Sequence, residues 1–114
     1  MPVRILLGMM SLEWRRLLAE VVQADSDLRI VGTAESAMDI LLLAEDQKVD
    51  VVVLTQLPGG VEPGICSHLM LEYPNVAVLL LPSEPSYGVL WRMVLRKESW
   101  HEVSREILRS ALKA

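Results

Sequence analysis

Two methionines, one threonine and one lysine follow apolar runs that have the composition of buried strands, and in α/β domains such positions commonly carry the chemistry. Met9 and Met10 offer two thioethers for a soft metal, but no third ligand has a suitable spacing, so apolar filling is the favoured interpretation. Thr55 is a candidate for modification by a kinase or for a structural hydrogen bond. Lys97 is a candidate partner for Thr55 or a solvated side chain.

The other reactive residue types give weaker signals. His68 and His101 have no acid or nucleophile at catalytic spacing, which predicts solvent-facing side chains. The single cysteine, Cys66, excludes an internal disulfide and is predicted to be a small core residue. Gly59-Gly60 lacks the spacing and the lysine of a phosphate-binding loop, so turn formation explains it. We therefore predict no catalytic residue, no metal and no cofactor.

Composition limits the classes of function. The 114 residues suit one domain, and the net charge of −4 argues against direct contact with nucleic acid, which requires a basic surface. The hydrophobic fraction is 52%, yet the apolar blocks are much shorter than the roughly 18 residues of a membrane span. The apolar run at the start is too short for a convincing signal peptide, so we expect a cytoplasmic protein.

Apolar runs alternate with amphipathic segments along the chain. Strands are predicted at 3–8, 28–33, 50–54, 76–81 and, more weakly, 93–96; helices are predicted at about 12–22, 36–47, 63–73 and from 99 to the end, with a helical turn at 87–91. Ser11 and Ser36 are predicted N-caps, and Ser99 with Glu102 has the pattern of a capping box. This alternation predicts an α/β domain with a parallel sheet.

Several short motifs in this order resemble a known family. They are Val3–Leu7 with Arg15 and Leu18, Ile30–Gly32 with Ala34, Val49–Leu54 followed by Pro58-Gly59, Tyr73–Val76 with Val78 and Leu79, and Leu95–Lys97. Together they resemble the receiver domains of bacterial response regulators, in particular the branch that precedes LuxR-type helix-turn-helix domains. The resemblance covers essentially the whole chain. It implies a flavodoxin-like, doubly wound, five-stranded parallel sheet of order 2-1-3-4-5.

The resemblance also assigns positions to a phosphorylation site. The acidic pair that holds magnesium in the family falls on Met9 and Met10, and the phosphoacceptor aspartate falls on Thr55. The hydroxyl after strand four falls on Pro82, and only the lysine after strand five is retained, as Lys97. The chain is therefore interpreted as a degenerate pseudo-receiver.

The chemical consequence of these substitutions is direct. Magnesium is a hard cation that prefers oxygen ligands, and a thioether is a soft donor. Without the metal, charge on a transferring phosphoryl group has no counter-ion, and a threonine hydroxyl is a weak nucleophile. We therefore expect neither magnesium binding nor phosphoryl transfer.

The segment from Pro82 to Lys97 spans 15 positions, several fewer than is usual in the family, which predicts that helix four is shortened or absent. Tyr87, Trp91 and Met93 lie in this segment, and Trp100 lies just beyond it. Large aromatic side chains are favoured anchors of interfaces. These four residues are a candidate partner face, with covering of the core as the other interpretation.

The leading hypothesis is a non-enzymatic signalling module that acts through a protein partner or an attached output domain of a transcriptional regulator, with homodimerisation as a further expectation. The alternative is a flavodoxin-like domain that binds a small ligand or a nucleotide. It predicts an open polar pocket around 8–11 and 55–60. A third hypothesis is a purely structural dimerisation domain.

Overall fold

A computed structural model of the chain describes residues 2–57, 63–73, 75–83, 90–93, 97–100 and 104–113. Strands and helices alternate as far as the fourth strand. The elements are β1 (Val3–Leu7), α1 (Leu12–Gln23), β2 (Leu28–Thr33), α2 (Ala37–Asp46), β3 (Val51–Thr55), α3 (Ile65–Glu72), β4 (Ala77–Leu81), β5 (Leu90–Met93), β6 (Lys97–Trp100) and α4 (Arg105–Lys113). None of the helices in the described part of the chain is long and apolar enough to cross a membrane.

The first four strands form a parallel sheet in the order β2-β1-β3-β4. This confirms the predicted flavodoxin-like arrangement for that part of the sheet. Leu7 of β1 lies opposite Val53 of β3, and Thr55 of β3 lies opposite Leu81 of β4. The carboxyl ends of these three strands therefore meet at one edge, where such folds place their ligands.

The remainder of the sheet differs from the prediction. β5 runs antiparallel to β4, with Leu80 opposite Trp91, and β6 runs antiparallel to β5, so the sheet has six strands in the order β2-β1-β3-β4-β5-β6. The predicted parallel strand at 93–96 is wrong at Met93, which ends the antiparallel β5, and residues 94–96 lie outside the described residues. Eight residues separate β4 from β5. That connection is short for a parallel crossover, which needs a dozen or more residues, but sufficient for an antiparallel neighbour.

The connection between β4 and β5 is the segment in which helix four is predicted to be shortened or absent. Pro82 and Ser83 are not helical, and residues 84–89 lie outside the described residues. The predicted helical turn at 87–91 is wrong in its second half, because Leu90 and Trp91 belong to β5.

The sheet carries an apolar core on each face. Successive side chains of a strand point to opposite faces, so the central strands contribute to both cores. Ile5 and Val53 pack with α1 and α4, while Leu6 and Val52 pack with α2 and α3. Cys66 of α3 is fully buried in the second core, as predicted.

Serine side chains begin three of the helices. Ser11 Oγ accepts a hydrogen bond from Trp14 N at 3.3 Å, and Ser36 Oγ accepts one from Asp39 N at 3.2 Å, which confirms both predicted caps. The predicted cap of the last helix is wrong. Ser99 pairs in β6, and Ser104 caps α4 by accepting from Ile107 N at 3.1 Å. Ser99 thus takes part in the pairing of the sheet and not in the predicted cap.

Candidate functional site at the carboxyl ends of the strands

The ends of β1 and β3 bring two of the predicted site residues together. Gly8 N donates to the carbonyl oxygen of Val53 at 2.8 Å, which continues the pairing of the two strands by one residue. Just beyond it, the Thr55 hydroxyl lies 3.4 Å from the carbonyl oxygen of Met9, to which it donates a hydrogen bond. Thr55 therefore stands beside the segment to which the resemblance assigns the acidic pair.

Gly8 permits this close approach. A Cβ at this position would lie 2.5 Å from Leu54 Cδ2 and 3.1 Å from the carbonyl oxygen of Val53. Neither distance is compatible with a normal van der Waals contact. The end of β1 can lie against β3 because residue 8 has no side chain.

Apolar side chains are exposed at this edge beside polar ones such as Ser11 and Gln56. Met9 is 44% exposed, and Met10 is half-buried and packs against the core beneath α1. Leu12 and Leu57 are also exposed at the ends of the same two strands. Among the described residues, no group of three histidine, cysteine, aspartate or glutamate side chains is placed to hold a metal ion.

The ligand-binding alternative predicts an open polar pocket around 8–11 and 55–60. In the described part of those segments, Met9 and Leu57 expose apolar side chains, and Ser11 exposes a polar one. Residues 58–60 lie outside the described residues, and the alternative stays a prediction.

Pro82, directly after β4, is held by a hydrogen bond from α1. Its carbonyl oxygen accepts a hydrogen bond from Trp14 Nε1 at 2.8 Å, and both residues are buried. The backbone just before it is also fixed, because Gln56 N donates to the carbonyl oxygen of Leu81 at 2.8 Å. The position to which the resemblance assigns a mobile hydroxyl is therefore joined firmly to α1.

The hydrogen bond from Trp14 to Pro82 was not predicted from the sequence, although the residue type gave a signal for it. Trp14 falls at helical spacing with Leu18 and Val21, which predicts that it lies on the buried stripe of α1. A buried indole N–H normally finds an acceptor. No local pattern identified that acceptor, because Pro82 is 68 positions away in sequence.

Arg15 lies one turn into α1 and near the end of β2. Its Nη2 atom is 3.9 Å from Glu35 Oε1, a long contact between partly exposed groups that contributes little to stability. Arg15 Nε is buried without a hydrogen-bond partner in the described part of the chain.

Lys97 does not lie beside Thr55. It is the first residue of β6, opposite Met93, which in turn lies opposite Val78 near the start of β4. Lys97 is thus about 14 Å from β3 across three strand spacings, and about 10 Å from the level of Thr55 along the strands. The backbone register therefore does not favour Lys97 as the partner of Thr55, and the role of its side chain stays a prediction. The antiparallel direction of β5 determines this placement.

The candidate partner face is divided by the strand register. Trp91 lies opposite Leu80 and Met93 lies opposite Val78, so both are placed on the face of the sheet that carries α2 and α3. Trp100 lies opposite Leu90, at a register position on the other face. Tyr87 lies outside the described residues.

A charged network joins α4 to the loop before β2. Lys113 Nζ lies 2.7 Å from Asp25 Oδ2 and 3.0 Å from Asp27 Oδ2. The hydrogen bond from Lys113, followed by that from the backbone of Asp27, holds the pKa of Asp25 below its ordinary value. The hydrogen bonds of Lys113 with the side chains of Asp25 and then Asp27 raise the pKa of Lys113. Arg105 also pairs with Glu20 of α1.

Comparison with known proteins supports the fold. The signal receiver domain of NarL from Mycobacterium tuberculosis matches with a TM-score of 0.59 at 20% identity, over 73% of this chain and 68% of that one. The response regulator domain of CheB from Thermotoga maritima matches with the same TM-score and identity, over 77% of this chain and 66% of that one. No protein-family model and no curated protein matches. The chain has a receiver-like fold, of the flavodoxin-like class.

Proposed function

We propose that the chain is a pseudo-receiver, a signalling module that works through protein contacts and independently of phosphorylation. The observation that carries this proposal is the composition of the strand-end site. Met9, Met10 and Thr55 occupy the positions for which receiver chemistry requires carboxylates, and the Thr55 hydroxyl already donates to a backbone carbonyl. The two methionine side chains offer magnesium only thioethers in place of carboxylates, and Thr55 is not an acceptor carboxylate.

The environment of Pro82 supports the same proposal. A phosphorylation switch needs a side-chain hydroxyl that turns toward the phosphoryl group. Proline has no hydroxyl, and the carbonyl of Pro82 is tied to Trp14 by a buried hydrogen bond. Pro82 itself is therefore suited to a constant conformation.

The test is incubation of the full chain with acetyl phosphate and magnesium, followed by measurement of the intact mass. We expect no phosphoryl adduct, under conditions in which a receiver domain with its carboxylates is labelled in parallel. Stoichiometric labelling would overturn the proposal. If labelling occurred, loss of the adduct in Thr55→Val would identify the acceptor.

The proposal also covers the kind of protein in which this domain acts. The chain forms one non-enzymatic domain of a cytoplasmic regulator, and an output domain or a separate partner contacts DNA where transcription is regulated. The net charge of −4 supports this division of labour, because DNA contact depends on neutralising phosphates.

We further propose that Trp91 and Met93 contribute to a dimer interface. The register places both on one face of β5, and among the described helices only α2 and α3 pack on that face, at the strands before β5. Light scattering is expected to give twice the monomer mass for the parent protein and the monomer mass for Trp91→Ala. Trp100→Ala, on the other face, should retain the dimer. A monomeric parent protein would contradict this assignment.

A further inference from the structure

The outer face of α2 exposes two large apolar side chains. Ile40 and Ala44 direct one side of this helix into the core. On the outer side Met38 is 63% exposed and Leu42 is 57% exposed, and the two are one helical turn apart. Single exposed apolar residues are common on soluble proteins, but neighbouring ones with a polar rim are typical of contact surfaces.

A depression lies next to this pair. It is open to solvent and is lined by Leu42, Leu43, Glu45 and Asp46, all from the same stretch of α2. Apolar and acidic side chains are therefore accessible side by side to another molecule.

The charged side chains of α2 are all acidic. The helix contains Asp39, Glu45 and Asp46 and no lysine or arginine. Asp39 is used in the N-cap, where its Oδ2 atom accepts from Glu35 N. Glu45 and Asp46 lie in the last turn, where the helix dipole disfavours negative charge. Neither forms an ion pair with another described residue.

Arg4 lies at the end of α2 but does not pair with these carboxylates. Arg4 Nε donates to the carbonyl oxygens of Gln47 and Lys48, at 3.0 and 3.1 Å. These bonds satisfy backbone acceptors at the end of α2. The surface therefore combines exposed apolar groups with uncompensated negative charge.

We propose that this face of α2, formed by Met38, Leu42, Glu45 and Asp46, is a docking surface for a basic amphipathic helix of a partner protein. Its apolar residues would cover Met38 and Leu42, and its lysines or arginines would pair with the two carboxylates. The acidic rim disfavours nucleic acid and anionic lipid surfaces. The proposal rests on the chemistry of α2 and is independent of the phosphorylation state of the strand-end site.

A partner is favoured over a second copy of this chain. The basic helix among the described elements is α4, and its cations are already paired. Arg105 pairs with Glu20, Arg109 lies 4.0 Å from Asp25, and Lys113 pairs with Asp25 and Asp27. Docking of α4 on another copy would break these contacts.

The test uses the full chain and a labelled synthetic peptide of leucine and lysine at amphipathic helical spacing, with binding followed by fluorescence anisotropy. We expect Glu45→Gln with Asp46→Asn, and separately Met38→Ser with Leu42→Ser, each to weaken binding about tenfold or more. Added salt should weaken binding to the parent protein.

The matched control is Leu71→Ser with Glu72→Gln on α3, where Leu71 is 83% exposed next to an acid. This variant should bind like the parent protein. A peptide of serine and lysine with the same charge should bind at least about tenfold more weakly than the leucine peptide. Equal binding of the two peptides, equal loss in the control, or no binding of the leucine peptide would overturn the proposal.

Discussion

The indole N–H of Trp14 joins α1 to the segment after β4 through the carbonyl of Pro82. Replacement of Trp14 by phenylalanine would keep an aromatic ring in the core and leave this buried carbonyl without its donor. We expect Trp14→Phe to lower the free energy of unfolding by about 1–3 kcal/mol. Urea denaturation followed by circular dichroism measures the difference. Equal stability of the two proteins would argue against a structural role for the bond.

Lys48 has a positive φ of 51° directly after the C-cap of α2. The left-handed conformation is costly for a residue with a Cβ and is readily adopted by glycine. Lys48→Gly is therefore expected to raise the free energy of unfolding by about 1 kcal/mol. Thermal denaturation provides the measurement. Lys48→Ala is the control, since it removes the same side-chain charge, retains the Cβ and should give no such gain.

At the scale of elements, the ion pair of Asp25 with Lys113 joins α4 to the loop before β2. Because the pKa of folded Asp25 lies below its ordinary value, its contribution is complete above about pH 4 and is lost as the pH falls through the folded pKa. Lys113 has a raised pKa, so its contribution is complete below its ordinary value and is lost as the pH rises through the folded pKa.

We expect Asp25→Asn to be less stable than the parent protein at neutral pH, and the difference to diminish on acidification below about pH 4. Urea midpoints measured over a pH series compare the two proteins. Asp46→Asn serves as a control, because Asp46 forms no ion pair with another described residue. A stability difference for Asp25→Asn that does not change with pH would exclude ionisation as its cause.

At the scale of the whole molecule, the two cores share their central strands. β1, β3 and β4 contribute alternate side chains to both, so loss of one core exposes residues of the other. We expect a single cooperative unfolding transition. Far-UV circular dichroism and tryptophan fluorescence should give the same urea midpoint. Separate midpoints would show that the faces of the sheet unfold independently.

The elements of the parallel half were predictable because their signals are local. The period of the apolar residues located β1 to β4 and α1 to α3, and the serine caps at Ser11 and Ser36 required only residues within one turn. The strand order implied by the family resemblance predicted that Met9 and Thr55 would lie close together. Their proximity follows from the parallel pairing of β1 with β3.

The sequence by itself determined the residue types at the strand-end site and the alternation that forms the first four strands. Only the tertiary structure decided the direction of β5, the addition of β6 and the distance of Lys97 from Thr55. It also decided that Ser104 caps α4 and that Pro82 accepts from Trp14. The bond from Trp14 to Pro82 joins residues 68 positions apart in sequence, which no local pattern identifies. Ser99 pairs with Trp91 in the sheet, and the pairing of an added strand satisfies more backbone hydrogen bonds than a local cap does.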